Sequence, residues 1–281
     1  GGSIAQAIGK VLKLDEKNTK IMIMCGMAAG FSALFGTPLA ATVFAIEVVT
    51  VGVVHYSALV PCTVAALTAF EVAHLCGGHA EAFPLHEIPE FALSGAWKIA
   101  LLALLCAGLS VIFCKTLHGA EHFYKKYIKN AYLRIFVGGV LVILLSKVLG
   151  TTDYLGGGMN IVERAVEGEV VWAAFILKLL FTAVSLGAGF KGGEIVPTLF
   201  VGGPFGCLFG QLIGFSPSLC AACGMIALFS AVTNSPLASL VLGFELFGFE
   251  GMPYYLSTIA VSYLLSGRYS LYHSQEFLQA K

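Results

Sequence analysis

Charge is what this sequence has least of. Asp, Glu, Lys and Arg make up 11% of its 281 residues, whereas hydrophobic residues make up 58% and the mean hydropathy is +0.87. A soluble domain carries about 25% charged residues, so this composition excludes a water-facing surface over most of the chain. The formal net charge is zero, which gives no reason to expect nucleic acid as a partner. The composition predicts a membrane protein.

Aspartate is nearly absent, since the chain contains Asp15 and Asp153 and neither lies in an apolar run. A membrane enzyme, such as an intramembrane protease or an acyltransferase, needs paired aspartates or a nucleophile with a base at membrane depth. We therefore expect a transporter or channel and not an enzyme.

Metal-binding patterns are also lacking. Cys220 and Cys223 form a CxxC without a second pair, and the spacing favours small buried hydrophobic residues over a metal site. His74, His79 and His86 could form a metal site in a loop. We interpret that segment instead as a solvated loop. No metal and no cofactor are expected.

Long uncharged runs divide the chain. The longest extends over the 50 residues from Ile195 to Phe244 and directly follows Glu194 in the stretch GFKGGEIVPTLF. One spanning helix needs about 20 apolar residues, so this run is predicted to fold as several helices. An acid within such a sequence is costly and by default functional. The alternative is that Glu194 merely complements the dipole of a helix start.

An internal repeat is visible. The segments GMAAGFSALFGTPLAATVFAIE (26–47) and GMIALFSAVTNSPLASLVLGFE (224–245) align without gaps at an offset of 198, with eleven of 22 positions identical. The proline of each copy, Pro38 or Pro236, suits the first turn of a helix and disrupts its interior. Each copy therefore predicts a helix, a break and a second helix, and paired broken helices indicate a transporter site near the membrane midplane.

The repeat predicts the domain organisation. Upstream, GGSIAQAIG (1–9) matches GGPFGCLFG (202–210) at three positions and an offset of 201. We expect residues 1–91 to be the remainder of a first inverted repeat, 92–267 a second repeat, and 268–281 a C-terminal helix approaching the ion site. By this arithmetic roughly 100 residues would precede Gly1.

Four motifs in order resemble the CLC family of anion channels and proton-coupled anion antiporters: the first repeat block, DYLGGGMNIV (153–162), GGEIVPTLFVGGPFG (192–206) and GRYSLYHSQ (267–275). The resemblance covers essentially the whole chain. It implies an all-α polytopic membrane protein of inverted repeats and broken helices, which forms a homodimer with one ion pathway per subunit.

The resemblance also implies the site. An anion in the bilayer needs donors without a full counter-charge, and helix starts offer unpaired N–H groups and about half a positive charge. The helix start at Gly192, Gly193, Glu194 and Ile195 is expected to bind the anion. The closing tyrosine of the family would be Tyr272, with Tyr269 as the less favoured choice.

For several residues the sequence leaves two interpretations open. Tyr272 either contacts the anion or is an interfacial aromatic residue. Phe31 and Phe229 either present positive ring edges to the anion or pack in the core. Glu47 and Glu245, which are related by the repeat, are expected to lie at the interface or to pair with a neighbour in preference to carrying protons.

Two departures favour one branch of the family. Chloride/proton antiporters resembling this block have a second acid after Glu47, where this chain has Val48. Chloride-type relatives usually have an apolar residue where Glu194 stands, and GGE followed closely by Pro resembles the fluoride/proton antiporters. A buried carboxyl becomes an O–H donor when protonated, which suits the coupling of protons to fluoride, the anion of a weak acid.

The sequence thus predicts fluoride export coupled to proton influx across a prokaryotic inner membrane, with fluoride, protons and lipid as partners. A CLC-type chloride channel or chloride/proton antiporter is the alternative. A non-transporting scaffold is a further possibility for these 281 residues by themselves.

Overall fold

The computed structural model describes residues 1–79, 82–85, 88–272 and 275–278. These residues fold into α-helices with a short two-stranded sheet. The helices are α1 (Gly2–Val11), α2 (Glu16–Phe35), α3 (Pro38–Glu47), α4 (Leu59–Leu75), α5 (Leu93–Tyr127), α6 (Ala131–Leu149), α7 (Met159–Val166), α8 (Ala174–Ala188), α9 (Ile195–Ile213), α10 (Pro217–Thr233), α11 (Pro236–Phe247) and α12 (Met252–Leu265), and the strands are β1 (Thr50–Val51) and β2 (Glu276–Phe277).

Five helical segments in the described part of the chain are long and apolar enough to cross a membrane: α2, α5, α6, α9 and the segment Tyr56–Leu75 that ends with α4. Shorter apolar helices lie between them. The uncharged run from Ile195 divides into α9, α10 and α11. Both the all-α polytopic fold and the division of this run into several helices are as predicted.

The chain forms two compact units. The first comprises Gly1–Pro84, Thr233–Met252 and Tyr272–Lys281, and in it α2 packs against α1, α3 and α4 while α3 packs against α11. The second comprises Leu85–Val232 and Pro253–Leu271, and in it α8 packs against α5, α6 and α9. These units cross the predicted boundary between repeats at residue 91, because α11 of the second copy belongs with α3 of the first.

The breaks in the two repeat copies have the same backbone conformation. Gly36 ends α2 with φ 68°, and Asn234, at the same repeat position, follows α10 with φ 58°. Glycine adopts this left-handed conformation freely, and asparagine tolerates it better than most residues. Pro38 and Pro236 then begin α3 and α11. The predicted order of helix, break and helix is therefore confirmed in both copies.

A close glycine contact also recurs in both copies. A Cβ atom on Gly26 would lie 2.7 Å from the carbonyl oxygen of Gly1, and one on Gly224 would clash with the carbonyl oxygen of Gly202. Small residues let helices approach closely in lipid, where packing supplies the association energy. The weak match of residues 1–9 to residues 202–210 is thus supported by a shared contact.

Two expectations were wrong. The predicted C-terminal helix over 268–281 is not found in the described residues of that segment: α12 ends before Gly267, which has φ 64°, and the later residues Glu276–Phe277 pair in parallel with Thr50–Val51. The second concerns Lys115, Lys125, Lys126, Lys129 and Arg134, whose closeness in the sequence predicts a single basic connection on the cytoplasmic side. Instead α5 continues to Tyr127, and α6 begins at Ala131.

Candidate functional site

The candidate site is the loop between α8 and α9. Gly189, with φ 100°, ends α8, and α9 begins at Ile195 with Glu194 as its N-cap residue. Gly192 and Gly193 are exposed, whereas Glu194 is half-buried. A Cβ atom on Gly193 would meet nothing within 4 Å, so the backbone is open to approach there. The predicted helix start lies where the sequence placed it.

Three helices begin within or at the edge of the long uncharged run, and their starts differ. Leu219 N–H donates to Ser216 Oγ (3.3 Å) at the start of α10. At the start of α11, the N–H groups of Leu237 and Ala238 donate to Glu47 Oε1 (3.0 Å) and Oε2 (2.8 Å). At the start of α9, the side chain of the N-cap residue Glu194 makes no capping hydrogen bond.

The capping of α11 has a repeat-related counterpart. Glu245 accepts hydrogen bonds from Leu39 N–H (3.0 Å) and Ala40 N–H (2.7 Å) at the start of α3. Each repeat copy therefore supplies the carboxylate that caps the second helix of the other copy. Glu47 and Glu245 pair with neighbours, and the neighbours are backbone amides. The sequence signal was present, since both acids and both helix starts are related by the offset of 198.

Cationic side chains lie beside the glycine loop. Arg134 Nε donates to the carbonyl oxygen of Ala188 (3.2 Å), and a Cβ atom on Gly189 would lie 3.5 Å from the Arg134 guanidinium. Lys191 is exposed in the loop itself. Positive charge at the mouth of a site raises the local concentration of anions. The sequence did not identify Arg134 as part of this site.

Lys178 is a second basic residue whose position the sequence did not indicate. It is 2% exposed in α8, and its Nζ donates to the carbonyl oxygens of Tyr154 (3.2 Å), Gly156 (2.7 Å) and Gly157 (3.3 Å). Nζ also lies 4.7 Å from the centre of the Phe200 ring. The ion pairs of the described residues do not include Lys178. Carbonyl groups and a ring face therefore solvate this cation without neutralising it.

The glycine-rich segment bound by Lys178 packs on α9. A Cβ atom on Gly157 would lie 3.9 Å from Val196, and one on Gly158 would clash with the Phe200 ring. Val196 and Phe200 lie in the first two turns of α9. Lys178 thus fixes a loop against the beginning of the helix that starts at Glu194. A lone lysine in an apolar helix and a run of three glycines were the available signals.

The remaining predicted residues lie in different surroundings. Phe31 is buried in α2, with ring centres 4.6 Å from Phe35 and 5.1 Å from Phe44. Phe229 is fully buried in α10 of the second unit. Tyr272 is half-buried in the first unit, after the end of α12. The anion-binding roles of these three residues stay predictions.

Metal-ligating residues do not gather in the described part of the chain: it contains no group of three or more His, Cys, Asp or Glu side chains placed to hold a metal ion. Cys220 and Cys223 are both fully buried in α10. His86, with Glu81 and Glu87 of the same loop, lies outside the described residues.

Comparisons with known proteins agree with this architecture. The family model described as voltage gated chloride channel matches residues 1–267. A chloride/fluoride channel protein of Pseudomonas syringae pv. tomato is 31% identical over 287 residues, which covers 100% of this chain and 64% of that protein. An H⁺/Cl⁻ exchange transporter of Vibrio cholerae is 27% identical, over 88% of this chain and 56% of that protein.

A solved structure is also similar. The crystal structure of a CLC-type fluoride/proton antiporter superposes with a TM-score of 0.92 at 31% identity, covering 98% of this chain and 70% of that one. The chain thus spans just under two thirds of the length of the curated relatives it matches.

Proposed function

Because the chain belongs to the voltage-gated chloride channel family, we propose that it forms part of a membrane transporter that exports fluoride in exchange for protons. In this proposal the anion binds at the start of α9, and Glu194 couples it to the proton. Glu194 and the glycine loop before it lie within the second compact unit.

The observation that carries the proposal is how the N-termini of α9, α10 and α11 are capped. The starts of α10 and α11 are capped by Ser216 and Glu47, whereas Glu194 makes no capping hydrogen bond at α9. A helix N-terminus carries N–H groups without intrahelical partners and a partial positive charge, and both favour an anion. Exposed Gly192 and Gly193 let an anion approach the backbone.

The choice of fluoride depends on Glu194. Fluoride is small and strongly hydrated, so its water has to be replaced by strong donors. A carboxyl group supplies an O–H donor when protonated and an acceptor for N–H groups when charged. Glu194 is half-buried at the helix start, where it can alternate between these roles. The similar Pseudomonas protein is a chloride/fluoride channel protein, and the similar crystal structure is that of a fluoride/proton antiporter, which supports the same choice.

Chloride/proton exchange is the second candidate, and similarity to the exchange transporter of Vibrio cholerae favours it. Val48 follows Glu47 in this chain, so the second acid expected at that place in chloride/proton antiporters is missing. In addition, the Glu47 carboxylate is occupied by two backbone amides. Both features favour a proton route that uses Glu194.

Assembly and location belong to the same proposal. We expect a homodimer in a prokaryotic inner membrane, with residues 1–91 and 92–267 contributing to opposite repeats. Tyr272 is expected to contact the anion from the segment after α12.

The test is fluoride efflux from liposomes containing the full-length protein, measured with a fluoride electrode. Glu194→Gln keeps the size of the side chain but removes its titration, and we expect efflux to fall roughly 100-fold or more, as for the loss of a proton-transferring group. Glu250→Gln is the matched control, because Glu250 is exposed in the turn after α11.

Two outcomes contradict the proposal. Wild-type efflux of Glu194→Gln protein that elutes normally in gel filtration would reduce Glu194 to a partner of the helix dipole. Equal efflux of fluoride and chloride by the wild-type protein would remove the fluoride assignment while leaving anion transport in place.

A further inference from the structure

Gln275 uses its whole side-chain amide in hydrogen bonds. Nε2 donates to the carbonyl oxygens of Val48 (2.7 Å) and Thr233 (2.7 Å), and Oε1 accepts from Asn234 Nδ2 (2.9 Å). Gln275 itself is half-buried in the first compact unit. An amide with both donors and its acceptor engaged is held in one orientation.

The partners of Gln275 are the ends of helices from both repeat copies. Val48 is the C-cap residue of α3, and Thr233 is the last residue of α10. Carbonyl groups at helix C-termini lack an intrahelical partner, and Gln275 supplies one to each. Asn234 is the residue with φ 58° at the break before α11. We call Gln275 with these three partners the C-terminal junction.

The junction lies three residues after Tyr272. Gln275 N–H donates to the carbonyl oxygen of Tyr272 (3.2 Å), which links the two residues directly. Directly beyond, Glu276 and Phe277 pair in parallel with Thr50 and Val51. Tyr272 itself belongs to no helix or strand, so the regular hydrogen bonds of such an element do not hold its backbone in place.

We infer that Gln275 is a positioning residue for Tyr272, through which the ends of α3 and α10 determine where the tyrosine stands. Holding a segment outside regular structure costs conformational entropy for each backbone residue that is ordered. The junction offsets this cost with three side-chain hydrogen bonds. Because the role of Tyr272 in anion binding is part of the proposed function, the consequence for transport rests on that proposal, whereas the placement of the residue does not.

Two variants test the inference. Gln275→Ala removes all three hydrogen bonds. Gln275→Glu keeps the acceptor for Asn234 but sets a carboxylate against the carbonyl oxygens of Val48 and Thr233. The matched control is Gln211→Ala, because Gln211 Nε2 also donates to a backbone carbonyl, that of Gly168 (2.7 Å), at the far end of α9.

The first readout is the concentration dependence of fluoride efflux by the full-length protein in liposomes. For Gln275→Ala we expect a roughly three- to tenfold higher half-saturating fluoride concentration, the scale of one lost hydrogen bond, with a smaller change in the maximal rate. Gln275→Glu is expected to raise the half-saturating fluoride concentration more than Gln275→Ala does. Gln211→Ala is expected to keep the wild-type value.

The second readout is the ¹⁹F NMR signal of 3-fluorotyrosine placed at position 272. Gln275→Ala is expected to shift and broaden this signal, and Gln211→Ala to leave it unchanged. An unchanged signal in Gln275→Ala protein would overturn the inference, even if the variant melted at a lower temperature. A signal that ignores added fluoride in the wild type but changes in Gln275→Ala would support the positioning role and contradict the proposed anion contact of Tyr272.

Discussion

Lys178 places a charged group inside an apolar helix, where a lysine is rarely fully buried without a partner. Its ammonium group donates three hydrogen bonds to the carbonyl groups of Tyr154, Gly156 and Gly157. The donors of the cation are therefore matched by acceptors, which offsets much of the cost of removing it from water. The segment that supplies these carbonyls packs on the first turns of α9.

Lys178→Met is expected to lower the stability of the protein by roughly 1–3 kcal/mol, because it leaves three carbonyl groups without their donor. The melting temperature in detergent, followed by tryptophan fluorescence, should fall by about 2–4 °C for each kcal/mol. Lys147→Met at the exposed end of α6 is the control. If the Lys178→Met protein had the same melting temperature as the wild type, the Lys178 contacts would add no net stability.

Glu194 and Lys178 differ in how far the neighbouring sequence indicates their place in the fold. Glu194 could be predicted as a candidate site residue at a helix start, because two glycines, a proline and an apolar run surround it in the chain. The partners of Lys178 lie 21 to 24 residues away and are backbone carbonyls. Any residue type can supply a backbone carbonyl, so no sequence motif indicates these partners. The contacts of Lys178 could therefore not be predicted.

At the scale of helices, the two repeat copies exchange carboxylates. Glu47 caps α11 and Glu245 caps α3, in each case through two consecutive backbone N–H groups. A negative charge at a helix N-terminus is favourable, and the amides gain acceptors that no residue of their own helix provides. The exchange ties α3 to α11 within the first compact unit.

Glu47→Ala is expected to destabilise the protein by roughly 1–3 kcal/mol, because the N–H groups of Leu237 and Ala238 lose a buried acceptor. Glu47→Gln should have a smaller effect, since its amide keeps one acceptor oxygen. The melting temperature provides the measurement, and Glu250→Ala, at an exposed turn, is the control. Equal melting of the Glu47→Ala and Glu250→Ala proteins would show that the cap contributes nothing measurable.

Local chemistry made the helix breaks predictable and left the C-terminal segment obscure. Pro38 and Pro236 each fix a helix start through a property of the residue itself, and both starts were predicted. The course of the chain after Gly267 depends on pairing with β1 and on partners such as Val48, more than 200 residues away. The sequence around residue 268 does not show these contacts, and the helix predicted there is not found in the described residues.

For the whole molecule, the motifs in sequence order predicted both the fold class and the family. The residues next to α11 do not indicate its cap, because Glu47 lies 190 residues away from Leu237 in the chain. In the proposed function, capping distinguishes the three helix starts: Glu47 and Ser216 cap two of them, whereas the side chain of the N-cap residue Glu194 makes no capping hydrogen bond at α9.

The most direct test is therefore the response of backbone amides to fluoride, measured by ¹H–¹⁵N NMR on the full-length protein in detergent. We predict saturable shifts of the Gly192, Gly193 and Ile195 amide signals. The Ala238 amide, which already donates to Glu47, should stay unchanged. Fluoride-induced shifts at Ala238 with none at the start of α9 would contradict the account.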